Sequence, residues 1–296
     1  MSIMYPYCRL LVAFAWTLVT ITSMGAVSHR RNNTDDEADE SKHKWLNMVP
    51  NYGTGLRTAQ WCEKMNVNPD ELGDYFEGDI IIANGIKRNV LSDDRDADWH
   101  WWPDGIIPIV VDGDFDEKGH EHIHQAINEF KKYTCIEVKD RTNEDNYVKI
   151  SSDYSGCWSE IGRKGGEQKM NLQIPECLGK GVIMHQFMHV AGFSHEHTRS
   201  DRDNYVKINW ENIQEDAKRN FKKAELKWND FDIPYDYDSI MHSSAYASAV
   251  HDYVKTIIPL KDPNVKIGQR ERLSDLDVMK INVMYNCSSM SHNQVI

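Results

Sequence analysis

His185, His189 and His195 are metal-ligating side chains whose spacing suits one task. Residues 181–196 run Gly-Val-Ile-Met-His-Gln-Phe-Met-His-Val-Ala-Gly-Phe-Ser-His-Glu. On a helix, residues four apart stand one turn above each other on one face, so His185 and His189 can grip a single ion. Gly192 can adopt the left-handed conformation that ends a helix and turns the chain back, which delivers His195 as a third ligand. Three neutral imidazoles with a fourth position open are the donor set of a catalytic zinc, so the spacing predicts one Zn2+ per chain. The elements required are a buried helix to hold two histidines and a tight turn to return the third.

The pattern H-x-x-x-H-x-x-G-x-x-H is similar to that of the metzincin zinc peptidases. The segment from His195 to Val206, His-Glu-His-Thr-Arg-Ser-Asp-Arg-Asp-Asn-Tyr-Val, narrows it, because it resembles the H-E-x-x-R-x-D-R-D-x-Y-V stretch of the astacin family. Gly156-Cys157-Trp158-Ser159-Glu160-Ile161-Gly162-Arg163 resembles that family's G-C-x-S-x-x-G-R segment, and Tyr235 to His242 resembles its Met-turn region. The resemblance covers roughly Phe76 to Cys287. It implies an α+β, metzincin-type fold of two subdomains. A mixed N-terminal sheet would accompany the zinc helix, and an irregular C-terminal subdomain would follow. It further implies hydrolysis of internal peptide bonds, with an extended peptide or protein pairing along the strand edge at Cys157, Trp158 and Ser159. The unpaired N–H and C=O groups of such an edge give sequence-tolerant affinity. Met241 would be the apolar floor beneath the metal.

Two residues depart from the family pattern. Gln186 stands where the family has a Glu that takes a proton from the attacking water and passes it to the leaving amine. An amide has nearly the same shape and no useful basicity. Ser243 stands where active members have a Tyr whose hydroxyl reaches the developing oxyanion, and a serine is several ångströms too short. Tyr246 lies three residues further on. The expectation is a zinc-binding homologue with impaired catalysis that acts by binding peptide or protein. The alternatives are an active zinc metalloendopeptidase and a metal-free structural secreted protein.

Ahead of this region, Phe76-Glu77-Gly78-Asp79 matches the F-x-G-D motif of astacin proenzymes. The resemblance makes Asp79 the inhibitory ligand that fills the metal's fourth position; Cys62 is an alternative thiolate ligand. Activation would cut at Arg88-Asn89-Val90 or near Arg95. In active relatives the new N-terminal amine is buried against the residue corresponding to Glu196. The division expected is a signal peptide over 1–26, a propeptide over 27–88 with its end between 88 and 95, and the peptidase domain over 89–296.

The signal-peptide reading rests on Arg9, the apolar run Leu10 to Val19, and the small residues Ser23 to Ala26. It predicts a secreted protein. Residues 29–44 are polar and charged, and Asn32-Asn33-Thr34 is a glycosylation sequon within them. Net charge is −12, with an isoelectric point near 5.5, which argues against a nucleic-acid partner. No stretch is suited to crossing a membrane, and a monomer is expected. Of six cysteines, Cys8 leaves with the signal and Cys62 lies in the propeptide. The remaining four, Cys135, Cys157, Cys177 and Cys287, allow three pairings in an oxidising compartment. The astacin resemblance selects Cys135–Cys287 and Cys157–Cys177.

Periodicity supplies the scaffold. Ile106 to Val111 is a β-branched strand, and further strands are expected over 135–138, 147–150 and 170–174. Glu117 to Tyr133 is an amphipathic helix with Ile123, Ala126, Ile127 and Phe130 on its buried stripe. His120, His122 and His124 alternate by two, which scatters them around that helix as solvated residues. Helices are also expected over 210–221 and 274–285, the last packing through Leu276, Met279, Val283 and Met284.

Overall fold

The computed structural model describes residues 52–82, 101–224 and 231–287. The signal-peptide residues, the sequon at Asn32 and the cleavage positions near Arg88 and Arg95 lie outside these.

The alternating and β-branched runs of the first half build one six-stranded sheet in the order β1-β5-β6-β4-β2-β3. Its strands are β1 (Ile80–Ile81), β2 (Ile106–Val111), β3 (Glu137–Asp140), β4 (Tyr147–Ser151), β5 (Cys157–Glu160) and β6 (Glu167–Leu172). Pairing is parallel except between β5 and β6, where Cys157 faces Leu172 and Ser159 faces Met170. The segment that leads into β1 carries helix α1 (Tyr52–Ala59) and a 3-10 turn over Pro69–Leu72. Two further helices pack on the sheet. Helix α2 (Glu117–Tyr133) is capped by Asp116, whose carboxylate accepts from Gly119 N at 2.8 Å. Helix α3 (Lys180–Val190) is buried along its whole length after the first residue, as its apolar composition requires. Between them lie Ile107, Ile109, Ile123, Ala126, Phe130, Val148, Ile150, Met170, Ile183 and Phe187, all buried.

After α3 the chain has little regular structure. A two-stranded ribbon pairs β7 (Val206–Ile208) with β8 (Ile257–Pro259) around a small core of Val206, Ile213, Phe221, Tyr235 and Ile257. Helix α4 (Asp275–Met284) returns to the main core through Ile281. Disulfides join Cys135 to Cys287 and Cys157 to Cys177. Among the described residues no helix is long and apolar enough to cross a membrane.

The structure corrects four local expectations. Residues 210–221 are two 3-10 turns, Trp210–Asn212 and Glu215–Phe221, because Ile213 and Gln214 are extended and bond to the 248–249 backbone. Met279 and Val283 are about half exposed, and α4 buries Asp277 and Lys280 beside Ile281 instead. Sheet strand β6 begins at Glu167 and ends at Leu172, leaving Ile174 exposed. His122 is not merely solvated, since its Nδ1 lies 2.6 Å from Leu178 O.

Candidate metal centre

Helical spacing places the rings of His185 and His189 with centroids 4.7 Å apart on one face of α3. The helix closes at Ala191, and Gly192, at φ 107°, turns the chain as a residue without a Cβ can. His195 then comes back to 4.8 Å from the His189 ring and 5.2 Å from that of His185. Asp79 enters from the other side, just before β1. One ligand atom from each of these four residues lies within 4.8 Å of the others, and all four residues are buried.

Their hydrogen bonds fix which atoms face inward. Nδ1 of His185 lies 2.9 Å from Ile240 O, Nδ1 of His189 2.7 Å from Phe193 O, and Nδ1 of His195 2.9 Å from a Glu77 carboxylate oxygen. Oxygens only accept there, so each Nδ1 carries a proton and each Nε2 turns a lone pair toward Asp79. Nε2 of His185 is 2.9 Å from Asp79 Oδ2, and Nε2 of His189 and His195 are each 3.3 Å from Oδ1. His189 Nε2 and Asp79 Oδ1 have no hydrogen-bond partner. Lone pairs converging on a buried point, with outer nitrogens held by oxygens, fit a divalent cation of zinc's preference.

Gln186 is fully buried beside this cluster. Its Nε2 donates to Asp79 Oδ2 at 2.7 Å, while its Oε1 has no hydrogen-bond partner. Met241 is buried, and its carbonyl accepts from Glu196 N at 3.0 Å. The Glu196 carboxylate is held by Lys280 Nζ at 2.5 Å, Arg199 Nη1 at 3.3 Å and Asp236 N at 2.8 Å. Ser243 is turned to His197, its Oγ lying 2.9 Å from Nδ1, while the other ring nitrogen lies 3.2 Å from Asn220 O. Burial holds His197 well below its ordinary pKa, and because its Nε2 faces a carbonyl oxygen and carries the ring proton, its Nδ1 accepts from the Ser243 hydroxyl. The β5 edge is covered by β1, with Ile80 opposite Ser159 and Ile81 opposite Glu160. Cys62 is half-buried and not part of the cluster.

Sequence reasoning missed Glu77 as the His195 partner, and it missed a buried ion pair at the rim. Arg270 Nη2 donates to Asp70 Oδ2 at 2.7 Å, and that oxygen lies 3.7 Å from His185 Nε2. Next to it Glu71 accepts from Ser244 N and Oγ. No local signal marks these pairs, because their members stand 118 to 200 residues apart.

A cluster of three histidines and a carboxylate, set between a mixed sheet and a loop-rich second half, is the donor set of a candidate metal site. Residues 94–286 match the model of the Astacin peptidase family. The astacin-like metalloendopeptidase of Gallus gallus is 41% identical over 229 residues, spanning 77% of this chain and 55% of that protein. High choriolytic enzyme 1 of Oryzias latipes is 39% identical over 225 residues, spanning 75% of this chain and 81% of the relative. The solved structure of that enzyme, a hatching enzyme zinc-protease, matches with a TM-score of 0.62 and covers 69% of this chain and 100% of the other. The chain belongs to the astacin family of zinc-dependent metalloendopeptidases.

Proposed function

We propose that this protein is a secreted, zinc-binding astacin homologue that has lost ordinary peptidase turnover and acts by binding extended peptide or protein. His185, His189 and His195 would hold one zinc ion. Residues 27–88 form a prosegment, ending between 88 and 95, whose Asp79 blocks the site. Residues 1–26 are the export signal, 89–296 the peptidase domain, and Asn32 a glycosylation site. The single observation that carries the loss of turnover is the amide of Gln186, which donates to the Asp79 carboxylate from a position beside the three histidines.

Zinc, when bound, polarises a carbonyl and makes water nucleophilic near neutral pH. This chain's own residues would have to move the protons. Gln186 offers a donor and an acceptor but no group that takes up a proton at pH 7, and general acid–base catalysis contributes about 10²–10⁴ in rate. Ser243 is engaged by His197, and loss of an oxyanion donor costs about 10²–10³ by analogy with other hydrolases. The two losses need not multiply. Once the prosegment leaves, the β5 edge at Cys157, Trp158 and Ser159 would expose backbone groups that suit an extended ligand. Met241 would remain an apolar floor, and Glu196 the partner of the new N-terminal amine, in competition with Lys280.

The test is metal analysis and a peptidase assay on the mature domain after prosegment removal. The expected result is about one zinc per chain with negligible casein cleavage. Gln186→Glu with Ser243→Tyr should restore activity beyond Gln186→Glu alone. Cleavage at the rate of active relatives would replace this reading with that of a working endopeptidase, and a zinc-free mature domain with that of a structural protein.

A further inference from the structure

We infer that Gln186 converts the prosegment from a removable plug into a retained second piece: after a cut between residues 83 and 100, the 52–82 segment stays seated in the cleft. The inference rests on reading that segment as a prosegment. It concerns the segment's retention rather than the chemistry of the site.

One contact is central. Gln186 Nε2 donates to Asp79 Oδ2 at 2.7 Å, and both side chains are shut off from water. A neutral donor on an ionised acceptor makes a charge-assisted hydrogen bond, among the stronger kinds in a buried site. A glutamate in the same rotamer would set two carboxylates oxygen to oxygen. Two carboxylates facing each other offer no donor between them, so the hydrogen bond that the amide makes would be replaced by a repulsive contact. The glutamate of an active enzyme therefore weakens its own plug, and the amide strengthens it. The substitution that removes the proton carrier also removes the repulsion that would help eject the segment.

The rest of the segment is anchored independently of position 186. Asp70 pairs with Arg270, Glu71 accepts from Ser244, and Asn68 donates to Gly268 O at 3.0 Å. Tyr75 donates its hydroxyl proton to Ser155 O at 2.9 Å, and β1 adds to the sheet beside β5. Position 186 then sets how long a multiply anchored segment remains. A peptide ligand for the β5 edge must displace it.

The experiment uses the full chain with a sequence-specific protease site placed at residues 89–94. After cleavage, the zinc-loaded protein is chased with excess isotopically labelled 52–82 peptide, and exchange is followed by native mass spectrometry. The unaltered chain should hold its segment through gel filtration. Gln186→Glu should exchange about a hundredfold faster, and Gln186→Met, with neither donor nor charge, about tenfold faster. The same order should persist with a chelator present, because the contact is between amide and carboxylate. The proposal is overturned if Gln186→Glu exchanges no faster than the unaltered chain, or if the unaltered segment departs as soon as it is cut. If Gln186→Glu does not fold, a Gln186→Met variant exchanging at the unaltered rate overturns it equally. Zinc content and peptide hydrolysis on the same samples keep the two readings separate. An inactive, zinc-bound chain without differential retention would end this inference and leave the proposed function standing.

Discussion

Before His195 the buried positions are mostly apolar: Ile107, Phe130, Val148, Ile150, Met170 and Phe187 fill the space between sheet and helices, while Asp79, Gln168, Asn171, His185 and His189 are polar exceptions. After it, many are charged or polar: Glu196, Arg199, Arg202, Asp236, His242, Asp277 and Lys280 are all nearly inaccessible. Each of these finds partners. Asp277 accepts from Ser239 Oγ at 2.6 Å and Ile240 N at 2.8 Å, and Arg202 Nη1 donates to His197 O at 2.7 Å. The first half is held mainly by area removed from water, which is insensitive to the identity of the partner. The second is held by specific buried pairs, which stabilise only when complete. A chain with few regular elements needs such pairs to satisfy its backbone and hold its loops, and the Ile240 carbonyl that orients His185 at the candidate metal site hangs on them.

That contrast can be broken at several points. Phe130→Ala, in the apolar half, should cost about 4 kcal/mol in urea denaturation, and Phe130→Leu much less, because a cavity is partly refilled by volume. Lys280→Met should cost about 3 kcal/mol by leaving the Glu196 carboxylate short of a partner. Adding Glu196→Gln should recover most of it, since removing both charges leaves no orphan. If the double variant is no better than the single, the description of the second half by completed pairs is wrong.

His242 sharpens the same point through pH. Burial, with smaller contributions from Arg270 and Lys280, pushes it down to about 4 from an ordinary 6.5. Between those values the unfolded chain binds the proton and the folded chain does not. Its contribution is therefore intact above pH 6.5 and lost as pH falls toward 4, on the order of 3 kcal/mol. A stability–pH series should show that decline, and His242→Gln should flatten it. The smallest effect is expected at Ser274, whose hydroxyl accepts from Asp277 N at 2.8 Å as the cap of α4 and donates to the buried Asp236 carboxylate. Ser274→Ala, which removes the cap and the donor to Asp236, should cost about 2 kcal/mol, readable as a modest shift in the urea midpoint.

The same division governs what could be read in advance. Helix α2 was legible to its last residue because Ile123, Ala126 and Phe130 repeat at helical spacing toward one apolar wall. The 210–221 stretch was not, because Ile213 and Gln214 give up helical geometry for partners at 248–249. Met279 and Val283 misled for a related reason. Helix α4 turns Asp277 and Lys280 inward, and only the loops bearing Ser239 and Glu196 make that tolerable.

His185, Gln186, His189, Gly192 and His195 needed nothing beyond the sequence, because a helical turn and one left-handed glycine set their geometry over eleven residues. The placement of Asp79 against those histidines, the Glu77 contact with His195, the Arg270–Asp70 pair and the turning of Ser243 toward His197 belong to the tertiary structure. These contacts join residues 46 to 200 apart. No local period encodes such pairs. They exist only once the sheet, the helices and the returning loops have brought their backbones together.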